Sequence, residues 1–231
     1  MTERTTTFGQ SLGFPGTAAQ RNKVLRNTYW LLCLSLIPTV LGAWAGVELN
    51  VAPLFSGILG FVLFLAVAFG FIFAIEKTKN SAAGVPILLG FTFVMGLMMS
   101  PLIQHTLGYS NGAQLIMTAF GGTAGVFFAM ASLATVIKKD LSGMGKWLFV
   151  GTIVLLVGGV INAFVGSTAG MMALSMAAIA IFSFWMLFDI KRIIDGGETN
   201  YISATLSLYL SIVSVFQNLL ALLGIFGGER D

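Results

Sequence analysis

Charged residues are scarce in this chain of 231 residues, of which only 9% are Asp, Glu, Lys or Arg while 57% are hydrophobic. Soluble domains carry about 25% charged residues. A chain with so few charges, and with a mean hydropathy of +0.93, cannot cover a water-facing surface. The sequence therefore predicts an integral membrane protein. The net charge of +3 does not indicate nucleic-acid binding, because topology places the basic residues of a membrane protein.

Cysteine and histidine occur once each, as Cys33 and His105. One cysteine excludes a disulfide framework, and one histidine without a cysteine partner gives no basis for a metal site. The chain also lacks the His-Glu-x-x-His and Gly-x-x-x-x-Gly-Lys patterns, and it has no lysine in its last apolar run for a retinal Schiff base. We therefore expect neither an enzyme nor a cofactor protein.

Seven apolar runs are long enough to cross a bilayer as helices of roughly 20 residues. They cover residues 29–47, 52–75, 85–104, 113–137, 147–165, 170–188 and 203–226. The predicted fold class is all-α, a polytopic seven-transmembrane-helix bundle. Residues 1–28 are expected to form a cytoplasmic N-terminal tail, and residues 29–228 to form the seven-helix domain.

Lysine and arginine positions predict the orientation of this bundle. Of the twelve basic residues, all except Arg230 fall in the tail or in loops on the same side as the tail. Basic residues concentrate on the cytoplasmic side of a membrane protein. The N-terminus is therefore predicted to be cytoplasmic and the C-terminus to lie on the opposite side.

The last apolar run carries a stripe of small polar side chains. Its members follow one another at spacings of four, four, three and four residues: Ser203, Ser207, Ser211, Ser214 and Asn218. A helix brings residues at these spacings to one face. Because lipid tails offer hydroxyl and amide groups no hydrogen-bond partner, this face should turn toward protein or water. The stripe therefore predicts that the last helix lies at the centre of the bundle.

Asp189 is the main candidate for chemistry, because it closes the sixth apolar run. It could be held inside the bundle and gate a path by gaining and losing a proton. It could equally be a solvated residue at a helix end that pairs with Arg192, three residues on along the same face. Lys77 and Lys79, which close the second run, could also supply a counter-charge.

Glycines four residues apart occur twice in the apolar runs, as Gly42 with Gly46 and as Gly121 with Gly125. This spacing lets two helix backbones approach closely in lipid, where association depends on packing. Both pairs are therefore predicted to lie at helix contacts.

Four segments of the chain resemble the Bax inhibitor family and, within it, the proteobacterial YccA-like branch. They are residues 23–29 (KVLRNTY), 138–142 (KKDLS), 196–209 (GGETNYISATLSLY) and 229–231 (ERD). The resemblance implies a seven-helix protein of the bacterial inner membrane with its last helix at the centre and its C-terminus in the periplasm. It also implies two roles. Some members are pH-sensitive calcium leaks, and the YccA-like branch binds and restrains the membrane protease FtsH through a cytoplasmic tail.

The two roles do not transfer equally well. Calcium-leak members carry two aspartates, of which the first matches Asp189, whereas Ser211 stands at the second position. A serine cannot share a proton with Asp189, and Asp195, which might substitute, lies beyond the apolar run. The sequence therefore favours a protease modulator, with membrane lipid and an FtsH-like protease as partners. The alternative is a calcium leak that uses Asp189, and a transporter is disfavoured because no internal repeat is visible.

Overall fold

The computed structural model describes residues 18–55 and 57–228. The described residues form seven α-helices: α1 (Ala18–Glu48), α2 (Gly57–Thr78), α3 (Gly84–Leu107), α4 (Gly112–Val136), α5 (Met144–Val165), α6 (Thr168–Ile194) and α7 (Tyr201–Gly227). The all-α prediction is confirmed. Predictions for the tail segment 1–17 and for the C-terminal residues 229–231 fall outside the described residues.

Within the described part of the chain, six helices are long and apolar enough to cross a membrane, namely α1 and α3 to α7. The second predicted span begins later than expected. Residues Ala52–Phe55 form a short 3₁₀ turn, and α2 starts only at Gly57. Pro53 lies in this turn, and proline lacks the backbone N–H that a helix interior needs.

Helix α1 begins at Ala18, eleven residues before the predicted start at Tyr29. The prediction placed the boundary where the apolar run starts. Residues 18–28 are mostly polar, but the Ala, Gln, Arg, Lys and Leu among them favour helix. The 31 residues of α1 span about 46 Å at ~1.5 Å per residue. A hydrocarbon core is about 30 Å thick, so α1 is longer than the core of a bilayer. The predicted tail is thus helical from Ala18 onward.

Hydrogen bonds between distant segments identify the two ends of the bundle. At one end, Arg21 Nη1 donates to the Ile194 carbonyl oxygen at 3.2 Å, and Asn200 Nδ2 donates to the Lys79 carbonyl oxygen at 3.1 Å. This end holds the start of α1 and the α2–α3, α4–α5 and α6–α7 loops, and we call it the basic face. At the opposite end, Asn111 Nδ2 donates to the Gly227 carbonyl oxygen at 2.6 Å.

The basic face holds every lysine and arginine among the described residues. They are Arg21, Lys23, Arg26, Lys77, Lys79, Lys138, Lys139, Lys146, Lys191 and Arg192. The predicted loops that carry these residues therefore lie at the same end of the bundle.

Helix α7 packs against α1, α2, α3, α4 and α6. None of its described residues from 201 to 225 is exposed. In contrast, α5 has one buried residue, Leu148. Two other residues of α5, Trp147 and Phe164, are largely exposed, as are Trp30 on α1 and Met117 on α4. Large apolar side chains on the outside of a bundle are expected where lipid, rather than water, surrounds it.

Helices α1 and α3 make the closest backbone contact that the glycines reveal. A Cβ atom on Gly42 would overlap the carbonyl oxygen of Phe93, and one on Gly96 would overlap the carbonyl oxygen of Thr39. Gly46 is equally constrained, because a Cβ there would lie 2.6 Å from the Cβ of Ser100. The predicted packing role of Gly42 and Gly46 is therefore confirmed.

The second glycine pair behaves differently. A Cβ on Gly121 or on Gly125 would have no other atom within 4 Å. The prediction that this pair lies at a helix contact is wrong, because these glycines lie on an exposed face of α4. Spacing alone cannot say which helix face turns inward.

We expect Gly96→Ala to destabilise the folded protein by about 1–3 kcal/mol, the usual cost of overpacking a tight contact. Thermal unfolding of the purified protein in detergent measures the loss. Gly125→Ala is the matched control, and its midpoint should be unchanged or slightly higher because alanine favours helix over glycine by up to about 1 kcal/mol. Equal midpoints for the two variants would contradict a close α1–α3 contact.

Candidate functional site

Asp189 lies inside the bundle, five residues before α6 ends at Ile194. At ~1.5 Å per residue this is about 8 Å from the helix end. Only 7% of the residue is exposed. None of the hydrogen bonds and ion pairs among the described residues includes its carboxyl group. A buried carboxyl without a hydrogen-bonding partner is costly when ionised, so this position is energetically unusual.

The two cations that follow Asp189 along α6 pair with other acids. Lys191 Nζ lies 2.7 Å from Asp195 Oδ1, and Arg192 Nη2 lies 3.4 Å from Glu198 Oε2. The alternative in which Asp189 is a solvated residue paired with Arg192 is therefore wrong. Both acidic partners, Asp195 and Glu198, lie at or just beyond the end of α6.

The lysines at the end of α2 also have other surroundings. Lys79, just after α2, forms an ion pair with Glu76 in the last turn of that helix. Lys77 is exposed. Among the described residues, neither lysine forms an ion pair with Asp189.

Asp195 and Ser211, the other two candidate gate residues, differ in their environments. Asp195 caps the end of α6, and 47% of its side chain is exposed while it pairs with Lys191. Ser211 is buried in α7, with 4% of the residue exposed. Among the described residues, no hydrogen bond joins Asp189 to either of them. Asp195 is thus committed to Lys191 and does not form a carboxyl pair with Asp189.

The loop between α6 and α7 is built from local hydrogen bonds. Gly196 adopts a φ of 82°, a left-handed conformation that ends α6 and that glycine adopts without strain. Asn200 Oδ1 then caps α7 by accepting from the backbone N–H groups of Ile202 at 2.9 Å and Ser203 at 3.2 Å. Glu198 Oε1 accepts from the N–H of Asn200 at 2.9 Å. The loop therefore holds α7 in a defined position relative to Asp189.

The polar stripe of α7 contains one buried and four half-buried residues. Ser211 is the buried member, and Ser203, Ser207, Ser214 and Asn218 are half-buried. Ser203 Oγ donates to Glu76 Oε2 at 3.4 Å, and Asn218 Nδ2 donates to the Ser214 carbonyl oxygen at 2.8 Å. The stripe thus avoids the most exposed surface of the bundle, but it does not form one buried row.

Tyr209 joins three helices at a position that sequence reasoning missed. Its side chain is fully buried, and its hydroxyl oxygen lies 2.8 Å from Thr39 Oγ1 on α1 and 3.3 Å from the Thr92 carbonyl oxygen on α3. In an apolar run a tyrosine resembles an apolar residue, yet its hydroxyl needs a hydrogen-bond partner when it is buried. This requirement is the sequence signal that indicates a polar contact at Tyr209.

His105 lies at the opposite end of the bundle, where its Nε2 is 3.2 Å from the Tyr109 hydroxyl. Among the described residues, no group of three or more His, Cys, Asp and Glu side chains could hold a metal ion.

The fold and site define a class of protein: a helical membrane protein with a buried carboxyl group near one end, which forms no ion pair among the described residues. Residues 21–228 match the family model described as the inhibitor of apoptosis-promoting Bax1. The chain belongs to this Bax inhibitor family.

Within this family, the chain is similar to particular relatives over most of its length. The chain is 39% identical over 204 residues to the modulator of FtsH protease YccA of Escherichia coli, covering 88% of this chain and 90% of that protein. It is also 39% identical over 210 residues to a membrane protein of Vibrio cholerae, covering 91% and 92% of the two chains. A further relative in Escherichia coli, of the same identity and coverage, is named inner membrane protein YccA.

We expect Asp195→Asn to destabilise the protein more than Asp189→Asn does. Loss of Asp195 leaves Lys191, whose side chain is only 10% exposed, without its ion-pair partner. The cost should be about 1–3 kcal/mol, between the values for exposed and fully buried pairs. Asp189→Asn replaces a buried carboxyl group and, among the described residues, breaks no ion pair. Thermal unfolding in detergent distinguishes the two, and a fall for Asp189→Asn as large as that for Asp195→Asn would mean that Asp189 has a stabilising partner.

Proposed function

We propose that this protein modulates an FtsH-like membrane protease by binding it in the bacterial inner membrane. The observation that carries the proposal is the 39% identity with the modulator of FtsH protease YccA, which extends over 88% of this chain. The protein is in this view a regulator and not an enzyme.

The proposal includes an arrangement in the membrane. All seven helices cross the bilayer, with α7 at the centre of the bundle. The absence of exposed residues from 201 to 225 and the packing of α7 against five other helices support the central position. The basic face is cytoplasmic and the C-terminus periplasmic, because ten lysines and arginines at one end agree with the positive-inside rule.

In this proposal the protease binds the protein through its N-terminal tail. Helix α1 carries exposed residues from Ala18 to Gln20, and its first part extends beyond the hydrocarbon core. Residues 1–17, which precede α1, would then lie on the cytoplasmic side. A cytoplasmic segment next to a helix end is within reach of the cytoplasmic part of a membrane protease.

We expect the purified protein to slow the protease when both are reconstituted in liposomes. The measurement is the rate at which the FtsH of the same bacterium degrades a membrane-protein substrate, with and without an excess of this protein. A several-fold lower rate is expected, and removal of residues 1–17 should abolish the effect while leaving thermal unfolding unchanged. Asp189→Asn is the control and should restrain the protease as the natural protein does.

An unchanged degradation rate with folded protein, together with failure of the two proteins to co-purify, would refute the proposed function. Equal restraint by the protein that lacks residues 1–17 would refute only the role of the tail.

A pH-sensitive calcium leak is the second candidate function, and the burial of Asp189 without an ion pair favours it. The pairing of Asp195 with Lys191 and the serine at position 211 argue against it, because no second carboxyl group is available to share a proton.

We expect liposomes that contain the purified protein to release calcium no faster than protein-free liposomes, at both acidic and neutral pH. Asp189→Asn should behave as the natural protein does. Asp140→Asn, which changes an exposed aspartate at the same end of the bundle, is the matched control. Calcium release that depends on pH and is altered by Asp189→Asn but not by Asp140→Asn would establish the leak instead.

A further inference from the structure

The first turns of α1 carry two cations and a tryptophan on a face that is turned away from the bundle. Lys23, Arg26 and Trp30 follow one another at spacings of three and four residues, which a helix brings to one side. All three are exposed, Trp30 to 73%. Leu34 and Ile37 continue the same face as exposed apolar residues. We call these five residues the α1 outer face.

Packing on the other side of α1 fixes the direction of this face. Val24 and Thr28 are buried there. Arg21 Nη1 donates to the Ile194 carbonyl oxygen at 3.2 Å, and the close glycine contact with α3 holds the helix further along. The backbone of the α1 outer face therefore needs no rearrangement to receive a ligand, which lowers the cost of binding.

The two cations of the α1 outer face have no acidic partner among the described residues. The ion pairs in this part of the chain join other residues, and they are Lys79 with Glu76, Lys191 with Asp195, and Arg192 with Glu198. Lys23 and Arg26 are neighbours on the helix surface, and like charges at such a spacing repel each other. An anion between the two side chains is therefore favoured.

The chemistry of the two cations suits a phosphate group. The guanidinium of Arg26 can bind two phosphate oxygens through parallel N–H groups, and the ammonium of Lys23 adds a mobile point charge. A basic residue beside a membrane surface is attracted to anionic lipid headgroups. Charge complementarity thus matches this face with an anionic phosphate ester.

Trp30 indicates that the phosphate belongs to a lipid. It lies four residues from Arg26, which is about 6 Å along the helix at ~1.5 Å per residue. The headgroup layer on each side of a bilayer is about 5–7 Å thick, so an indole at this depth lies where headgroups meet acyl chains. Among the described residues, the Trp30 N–H has no hydrogen-bond partner. The ester oxygens of a phospholipid supply an acceptor at this depth, whereas acyl chains do not.

We propose that the α1 outer face binds an anionic phospholipid whose headgroup carries no ammonium group, of the phosphatidylglycerol class. The phosphate lies between Lys23 and Arg26, Trp30 donates to an ester oxygen, and one acyl chain lies along Leu34 and Ile37. This lipid site does not depend on the proposed protease binding.

Native mass spectrometry of the purified, delipidated protein tests the lipid class. The protein is titrated with phosphatidylglycerol and with phosphatidylethanolamine that carry the same acyl chains. We expect phosphatidylglycerol to bind at least about tenfold more tightly, because the ammonium group of phosphatidylethanolamine is repelled by two cations near the membrane surface. Equal affinity for the two lipids would overturn the proposal.

A pair of matched double variants tests the position of the site. Lys23→Gln with Arg26→Gln should lose about tenfold of the affinity for phosphatidylglycerol and keep that for phosphatidylethanolamine. Lys138→Gln with Lys139→Gln removes the same charge from exposed lysines at the same end of the bundle and should bind as the natural protein does. None of the four residues forms an ion pair among the described residues, so both variants should keep the natural unfolding midpoint. Equal losses in the two variants would overturn the proposal, because the basic face would then attract anions without a defined site.

Trp30→Phe tests the contact with the ester oxygen. Phenylalanine keeps an aromatic ring and loses the N–H donor, so the affinity for phosphatidylglycerol should fall about threefold, as expected for one hydrogen bond. Full affinity in this variant would overturn the assigned pose.

Glycerol phosphate, which has a phosphate ester without acyl chains, distinguishes a lipid from a soluble ligand. At equal concentration it should fail to displace phosphatidylglycerol, because it has nothing to place against Leu34 and Ile37. Displacement would overturn the proposal, since the two cations would then bind a soluble phosphate ester.

Discussion

The absence of hydrogen-bonding partners in lipid is the constraint on which this structure depends. Each polar side chain on an apolar helix must find a partner inside the bundle or lie beyond the hydrocarbon core. Tyr209 meets the constraint by joining α1, α3 and α7 through Thr39 and Thr92. The close backbone contact at Gly42 and Gly96 brings α1 and α3 near enough for that junction. Packing and polar pairing thus stabilise the same part of the bundle.

Asp189 departs from this rule, and its neighbours explain why. Lys191 and Arg192 follow it on α6, but each pairs with an acid near the end of the helix. The carboxyl group is therefore buried beside cations that are already engaged. An ionisable residue in such a position is rare in membrane helices, because its charged form is costly to bury. The serine at position 211 distinguishes this site from a two-carboxyl gate.

The basic face combines the features relevant to function. The start of α1, the end of α6 and the α6–α7 loop meet there, and Arg21 links α1 to the last carbonyl group of α6. A protease that binds the segment preceding α1 would act on a helix in direct contact with α6.

The sequence by itself determined the membrane class, the all-α fold, the spacing of the helices and the concentration of basic residues at one end, because hydropathy and charge are properties of local segments. The resemblance of the helix-seven entry also indicated the family, which the match over residues 21–228 shows. Only the tertiary structure decided which acids form ion pairs with Lys191 and Arg192. It also decided that Gly96 rather than Gly125 lies at a helix contact, and that Tyr209 joins three helices. Those outcomes depend on how each helix is rotated about its axis, and rotation is set by contacts between residues far apart in the chain.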